Sequence, residues 1–274
     1  MPTYAQNLNA HLSAYKATRL GVREPGTFVY RGRELTYDHI LPKEKQWLNI
    51  LEPFREHIQR YLAARPEIKL HRYFHHLNSS QAFALNLFFP YFEGGGSSQL
   101  LSAMGATGEI SSWQPESIVD LTEGTNVDMI WQAGGTRTYC EVKLSEQEFG
   151  SAPDDLAHRE KLQSIYRPGL VGACAPELLE PEKFFKNYQL FRNVWLVARE
   201  PRSTLIFLAP RANTAIWQQL TTFLGLLTAP IASRVRAVAV EDVFASLAAA
   251  QNVPAALSGY AELLRQKYLP PADA

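Results

Sequence analysis

Three side chains in the middle of the sequence have the types and spacing to act together. Asp128 lies in the run Asn126 to Gln132, and Glu141 and Lys143 lie in Arg137 to Leu144. Both runs read as strands. Between them stands Ala133-Gly134-Gly135-Thr136, whose glycine pair tolerates positive φ, so the pair reads as a hairpin. Side chains alternate along a strand. Tyr139, Glu141 and Lys143 therefore share one face of the second strand, and Cys140, Val142 and Leu144 take the other, which is expected to pack under a helix. On the first strand Asn126, Asp128 and Ile130 oppose Val127, Met129 and Trp131. If the turn sets the register so that Asp128 falls on the Glu141 face, two carboxylates and an ammonium converge.

Two carboxylates hold a hard cation such as Mg²⁺, which prefers oxygen ligands and keeps several waters. The backbone carbonyl of Val142 would add a third protein oxygen. Such a cation polarises a phosphoryl oxygen and lowers the pKa of a bound water. Lys143 would orient that water or neutralise charge developing on phosphorus. The summed chemistry is phosphodiester hydrolysis. The same residues also fit an exposed hairpin whose charges pair across the strands, and the surrounding elements have to separate the two readings.

Those elements alternate in type along the chain. Helices are expected over Tyr4 to Arg19, Pro42 to Ala64, Gln81 to Phe92 and Ser98 to Met104, with a short hairpin from Gly26 to Tyr37 turning at Arg31-Gly32. The stretch Gln81 to Phe92 is apolar on most sides and reads as a buried helix. Beyond the central hairpin, helices are expected at Pro153 to Tyr166, Pro181 to Arg192, Asn213 to Leu227, Glu241 to Ala250 and Pro254 to Tyr268. Strands are expected at Asn193 to Ala198, Thr204 to Ala209 and Arg236 to Val240. Strands and helices mixed throughout predict an α/β fold. The predicted organisation is one compact domain, with an N-terminal helical extension over residues 1–70 and an α/β part over 71–274.

With 46% hydrophobic and 20% charged residues, global disorder is excluded. Lys and Arg number 27 and Asp and Glu number 27, which excludes a strongly basic coat or an acidic tail. The balance hides a split: residues 1–75 carry 12 basic against 7 acidic side chains, and residues 76–150 carry 2 against 9. An acidic centre beside a basic flank suits a cation-dependent enzyme acting on a polyanion, and it also suits ordinary solvated faces. Two cysteines are too few for a disulfide scaffold or a four-cysteine zinc site. No apolar leader and no run long enough to span a bilayer is visible, so no membrane partner and a cytoplasmic location are expected.

The segment TNVDMIW, the glycine turn and YCEVKLSEQEFG together resemble the PD-(D/E)xK nuclease superfamily, the restriction-endonuclease-like fold. Asp128, Glu141 and Lys143 match its three signature positions, and Val127 stands where the name has proline. Asn78 to Pro90, Glu141 to Gly150 and Asn187 to Asn193 resemble a poorly characterised branch of bacterial restriction endonucleases. The resemblance spans residues 72–210, about half the chain. It implies a central mixed sheet of four to five strands flanked by helices. It further implies Mg²⁺ as cofactor, with Mn²⁺ as a substitute, and cleavage of DNA to leave a 5′-phosphate. The sequence does not separate DNA from RNA. It also implies a carboxylate from an earlier element, for which Glu123 is the first candidate and Glu116 the second, and a polar residue from the following helix, Gln189 with Tyr188. A two-fold homodimer would let such an enzyme cut both strands.

Other residues carry two readings each. Ser79, Ser80 and Gln81 either bind phosphate at a helix N-terminus or simply cap it, and capping is favoured. Arg192 either reaches a phosphate or solvates a helix end. His71, His75 and His76 cluster without a third and fourth zinc ligand nearby. No phosphate-binding glycine loop of the ATPase type and no serine-hydrolase elbow appears. The alternative to a nuclease is a non-catalytic module on the same fold that grips nucleic acid or a protein.

Overall fold

A computed structural model describes residues 2–124 and 126–271. By contacts the chain divides into two units. One joins Met1–Thr107 with Val240–Ala274, and the other is Gly108–Ala239. This division falls at a different place from residue 70. The helices Ser80–Glu93 and Ser97–Ala103 belong to the first unit together with the C-terminal helices Val240–Ala249 and Tyr260–Tyr268. Among the described residues, no helix is long and apolar enough to cross a membrane.

In the first unit, Thr3 caps the Tyr4–Arg19 helix reciprocally with Gln6. β1 (Gly26–Tyr30) and β2 (Arg33–Tyr37) form the expected hairpin, with Arg31 and Gly32 both at positive φ. Ser79 caps Ser80–Glu93, in which Gln81 to Phe92 are buried all round. The long helix expected over Pro42 to Ala64 is instead two 3₁₀ turns, Lys43–Asn49 and Glu52–Phe54, followed by Arg55–Ala63. Two residues break it. Pro53 has no N–H to continue a helix. Asn49 turns its side chain to the carbonyls of Phe74 (2.7 Å) and His76 (2.6 Å), and the Leu51 N–H leaves for Asn86 Oδ1 at 2.8 Å.

The second unit is built on five strands in sequence order: β3 (Ile110–Ile118), β4 (Asn126–Ala133), β5 (Thr136–Val142), β6 (Ser203–Ala209) and β7 (Val235–Ala239). β3, β4 and β5 pair antiparallel, and β5, β6 and β7 pair parallel. The sheet is thus mixed and flanked by helices, an α/β fold compatible with a restriction-endonuclease-like core. The central β5 and β6 are buried almost throughout, as parallel strands covered on both faces must be.

Edge strand β3 was not legible. Its Ser-rich run ISSWQPESI carries Pro115, which an edge strand tolerates. A second difference lies at Asn193 to Ala198, expected as a strand. These residues complete the helix Tyr188–Arg199. Leu190, Phe191, Val194 and Val197 bury at helical spacing against the sheet, and that burial overrides the β-branched content. The helix covers the Tyr139–Glu141 face of β5, and Cys140, Val142 and Leu144 on the other side are buried as expected of a packed face.

Candidate active site

The two-residue turn fixes the geometry. Gly134 and Gly135 sit at φ +53° and +76°, the mirror-image turn that joins twisted strands, and Ala133 pairs with Thr136 across it. The ladder then runs to Met129 opposite Cys140. One further step in the same register sets Asp128 opposite Glu141, on one face. The backbone pairing ends there, and Asp128 Oδ2 accepts the Val142 N–H at 2.7 Å. The N–H and C=O of a strand residue point to the same side, so the Val142 carbonyl faces the same opening. The Lys143 N–H turns the other way, to Leu208 O at 2.9 Å.

Glu141 is held from two directions and is only 3% exposed. Its Oε1 lies 3.0 Å from Lys143 Nζ and accepts from Gln189 Nε2 at 2.6 Å. Its Oε2 accepts from Asn193 Nδ2 at 3.1 Å and lies 3.7 Å from Arg192 Nη2. Gln189 Oε1 in turn accepts from Lys143 Nζ and from the Gly150 N–H, both at 2.9 Å. Gln189, Arg192 and Asn193 stand at i, i+3 and i+4, one face of the helix. Gln189 was expected here. Asn193 was not, because it lies in a run whose residue types favour a strand; its i+4 spacing from Gln189 is the signal for its place here.

Burial and the negative charges of Glu141 and Glu116 hold the Asp128 carboxyl well above the usual range, against the pull of Lys143 and the Val142 N–H. Burial works against charge on Lys143, but Glu141, Glu146 and Asp128 together outweigh it and raise the ammonium above the ordinary lysine value. The pocket therefore gathers more negative charge than one ammonium relieves. Cys140, on the other face, has its thiol pushed well up by burial and by Asp128 and Glu141, which leaves it unreactive.

The remaining candidates separate. Glu123 is buried, and its carboxylate accepts from Tyr166 Oη at 2.5 Å, which in turn meets Tyr188 Oη at 3.0 Å. The second-choice Glu116 is the residue whose charge reaches Asp128. It lies on β3 in the left-handed region at φ +50°, between the pairs Pro115–Met129 and Ser117–Val127. A glutamate in that conformation is uncommon and locally strained. In the other unit Ser79 caps its helix and Gln81 binds Lys69 O and the His71 N–H, so both have structural roles. His75 Nε2 meets Thr27 O at 3.2 Å.

The model of a protein family described as restriction endonuclease associating with ARP matches residues 9–269. The chain belongs to that family. No curated protein and no solved structure matches it. Membership in this restriction-endonuclease family gives the chain a nuclease-like role, and the match extends across both structural units.

Among the described residues of this family member, no three His, Cys, Asp or Glu side chains gather into a ready-made metal cage. A Mg²⁺ ion does not need one, since it is commonly bound through one or two carboxylates and keeps several waters. Asp128, Glu141 and the Val142 carbonyl supply hard oxygen donors, and the surplus negative charge favours a divalent cation. Among the described residues no donor reaches the buried Asn193 Oδ1, beside Glu141, and a cation's water shell would supply one. The residues present fit the ion.

Proposed function

We propose that this chain is an endonuclease of PD-(D/E)xK type that hydrolyses DNA phosphodiesters with Mg²⁺, or Mn²⁺ in its place, to leave a 5′-phosphate. The observation that carries the reading is the convergence of Asp128, Glu141, Lys143 and Gln189, with Lys143 Nζ 3.0 Å from Glu141 and Asp128 in register on the same face. Asp128, Glu141 and the Val142 carbonyl would hold the cation. When bound, it would supply Lewis-acid activation of the phosphoryl group and of a water.

The chain's own residues do the positioning. Gln189 and Glu141 fix the Lys143 ammonium at a single point, so its N–H donors orient an attacking water and stabilise charge on phosphorus without reorganising. Gln189 also ties that ammonium to the Gly150 backbone, which keeps the loop after β5 in place. Asn193 holds the second Glu141 oxygen and prevents the carboxylate from rotating. The family description pairs its members with ARP, and we extend that association to this chain.

The test is cleavage of supercoiled and linear DNA in Mg²⁺, Mn²⁺ or EDTA by the wild type, Lys143→Ala and Asp128→Ala. Metal-dependent nicking that both substitutions abolish supports the reading. Intact DNA together with no calorimetric metal binding by the folded wild type sinks it. Metal binding without cleavage calls for the same assay in the presence of ARP and with RNA.

A further inference from the structure

We propose that Arg192 serves the site in two positions: on Glu141 while the cation is absent, and on a phosphate of the nucleic acid once the cation has arrived. The inference rests on the metal-dependent reading above. A carboxylate offers about four acceptor positions. On Glu141 three are taken by close donors, Gln189 at 2.6 Å, Lys143 at 3.0 Å and Asn193 at 3.1 Å. Arg192 stands over the fourth as an ion pair at 3.7 Å, beyond hydrogen-bond length, and its other anchor is the carbonyl of Asn126, also long at 3.4 Å. It is therefore the group that yields most easily to a cation.

It also has the strongest reason to leave. A guanidinium cannot shed its proton at any ordinary pH. A divalent cation on Glu141 places like charge against it across a few ångströms in a poorly solvated site, where the repulsion is barely screened. Gln189 and Asn193 are neutral and have no such conflict. Arg192 is also partly exposed, its side chain 13% accessible, so a path outward exists. What its planar fork then fits best is a pair of phosphate oxygens. In this arrangement the cation and the substrate recruit each other. The cation frees a phosphate clamp, and the phosphate removes the competitor for the cation.

The experiment measures both halves. Mn²⁺ alone is titrated calorimetrically into the DNA-free wild type, Arg192→Ala and Arg192→Lys. Binding to Arg192→Ala is expected to be about threefold to tenfold tighter than to the wild type, the size of one poorly screened like-charge contact. Arg192→Lys, which keeps the charge, is expected close to the wild type. Affinity for a fluorescent DNA duplex is then measured with and without Mn²⁺ in the Lys143→Ala background, where cleavage is slowed enough for binding to be read before the duplex is cut. Mn²⁺ is expected to tighten duplex binding when Arg192 is present. In Lys143→Ala/Arg192→Ala that gain shrinks about tenfold, and the salt dependence falls by about one phosphate contact.

Unchanged or weaker Mn²⁺ binding by Arg192→Ala overturns the proposal, as does a duplex affinity indifferent to Arg192. If Arg192→Ala fails to fold, Arg192→Gln carries the same comparison. A wild type that binds no Mn²⁺ removes both this inference and the metal-site reading. Equal Mn²⁺ binding by wild type and variant removes this inference only.

Discussion

Asp128 opposes folding when it is charged in the absence of metal. An unfolded aspartate titrates at about 3.9. In the fold, burial, Glu141 and Glu116 raise that value, so between the two values the folded chain holds the extra proton and stability falls as pH rises. Asp128→Asn keeps the hydrogen bond to the Val142 N–H and removes the charge. In EDTA at pH 7 it should therefore melt above the wild type, and at pH 4 the difference should close; a lower melting temperature at pH 7 would contradict the electrostatic account. The same variant should lose calorimetric Mn²⁺ binding. Lys143→Ala should behave differently. It should bind Mn²⁺ yet cleave DNA about 10²–10⁴-fold more slowly, the range for one positioned proton-transfer or charge-stabilising group. The trio was legible in the sequence because a period of two and a two-residue turn leave little freedom in where Asp128, Glu141 and Lys143 point. Glu116 ranked only second to Glu123 in the sequence, because it occupies a left-handed position within an edge strand, which no side-chain pattern encodes. Asn193 was hidden by neighbours whose types favour strands.

The hairpin of β4 and β5 and the helix Tyr188–Arg199 are the two elements that meet at Glu141. Each can be tested without replacing the charged groups themselves. Gly135 sits at φ +76° with open space where a Cβ would go, so Gly135→Val meets backbone strain rather than a clash. It should cost about 1–2 kcal/mol in chemical denaturation, the usual price of a left-handed non-glycine residue. On the helix, Gln189→Glu would set a carboxylate against Glu141 where an amide now donates at 2.6 Å. It should lower the melting temperature in EDTA more than Gln189→Ala does, and added Mn²⁺ should recover part of that loss. Equal melting by the two variants would mean that Gln189 does not face the carboxylate. At this level the sequence suffices where one signal dominates: the capped Tyr4–Arg19 helix, the Arg31-Gly32 turn, the glycine turn that leads into β5, and the short apolar runs of β6 and β7. It failed where long-range partners decided, as Asn49 and Pro53 did within the supposed long helix.

The nuclease-like sheet occupies one continuous stretch, Gly108–Ala239, while the other unit is assembled from both ends of the chain. Inside the first unit the C-terminal helix supplies core. Lys267 donates to the carbonyl and side-chain oxygens of Asn49, and Tyr268 and Tyr260 hydroxyls contact Asn86 at 2.6 and 2.8 Å. A chain ending at Ala239 should therefore lose the protected structure of residues 1–107, whereas residues 108–239 expressed alone should retain a cooperative melt; circular dichroism and amide exchange would tell the two apart. The same threading sets an order during synthesis. The first 107 residues emerge from the ribosome without the helices that close them. They must wait while the entire sheet unit is translated, about 7–26 s at ordinary elongation rates of about 5–20 residues per second. For that interval the apolar Ser80–Glu93 segment is without its covering helix, a natural client for a chaperone, and the sheet completes before the unit that precedes it in the gene.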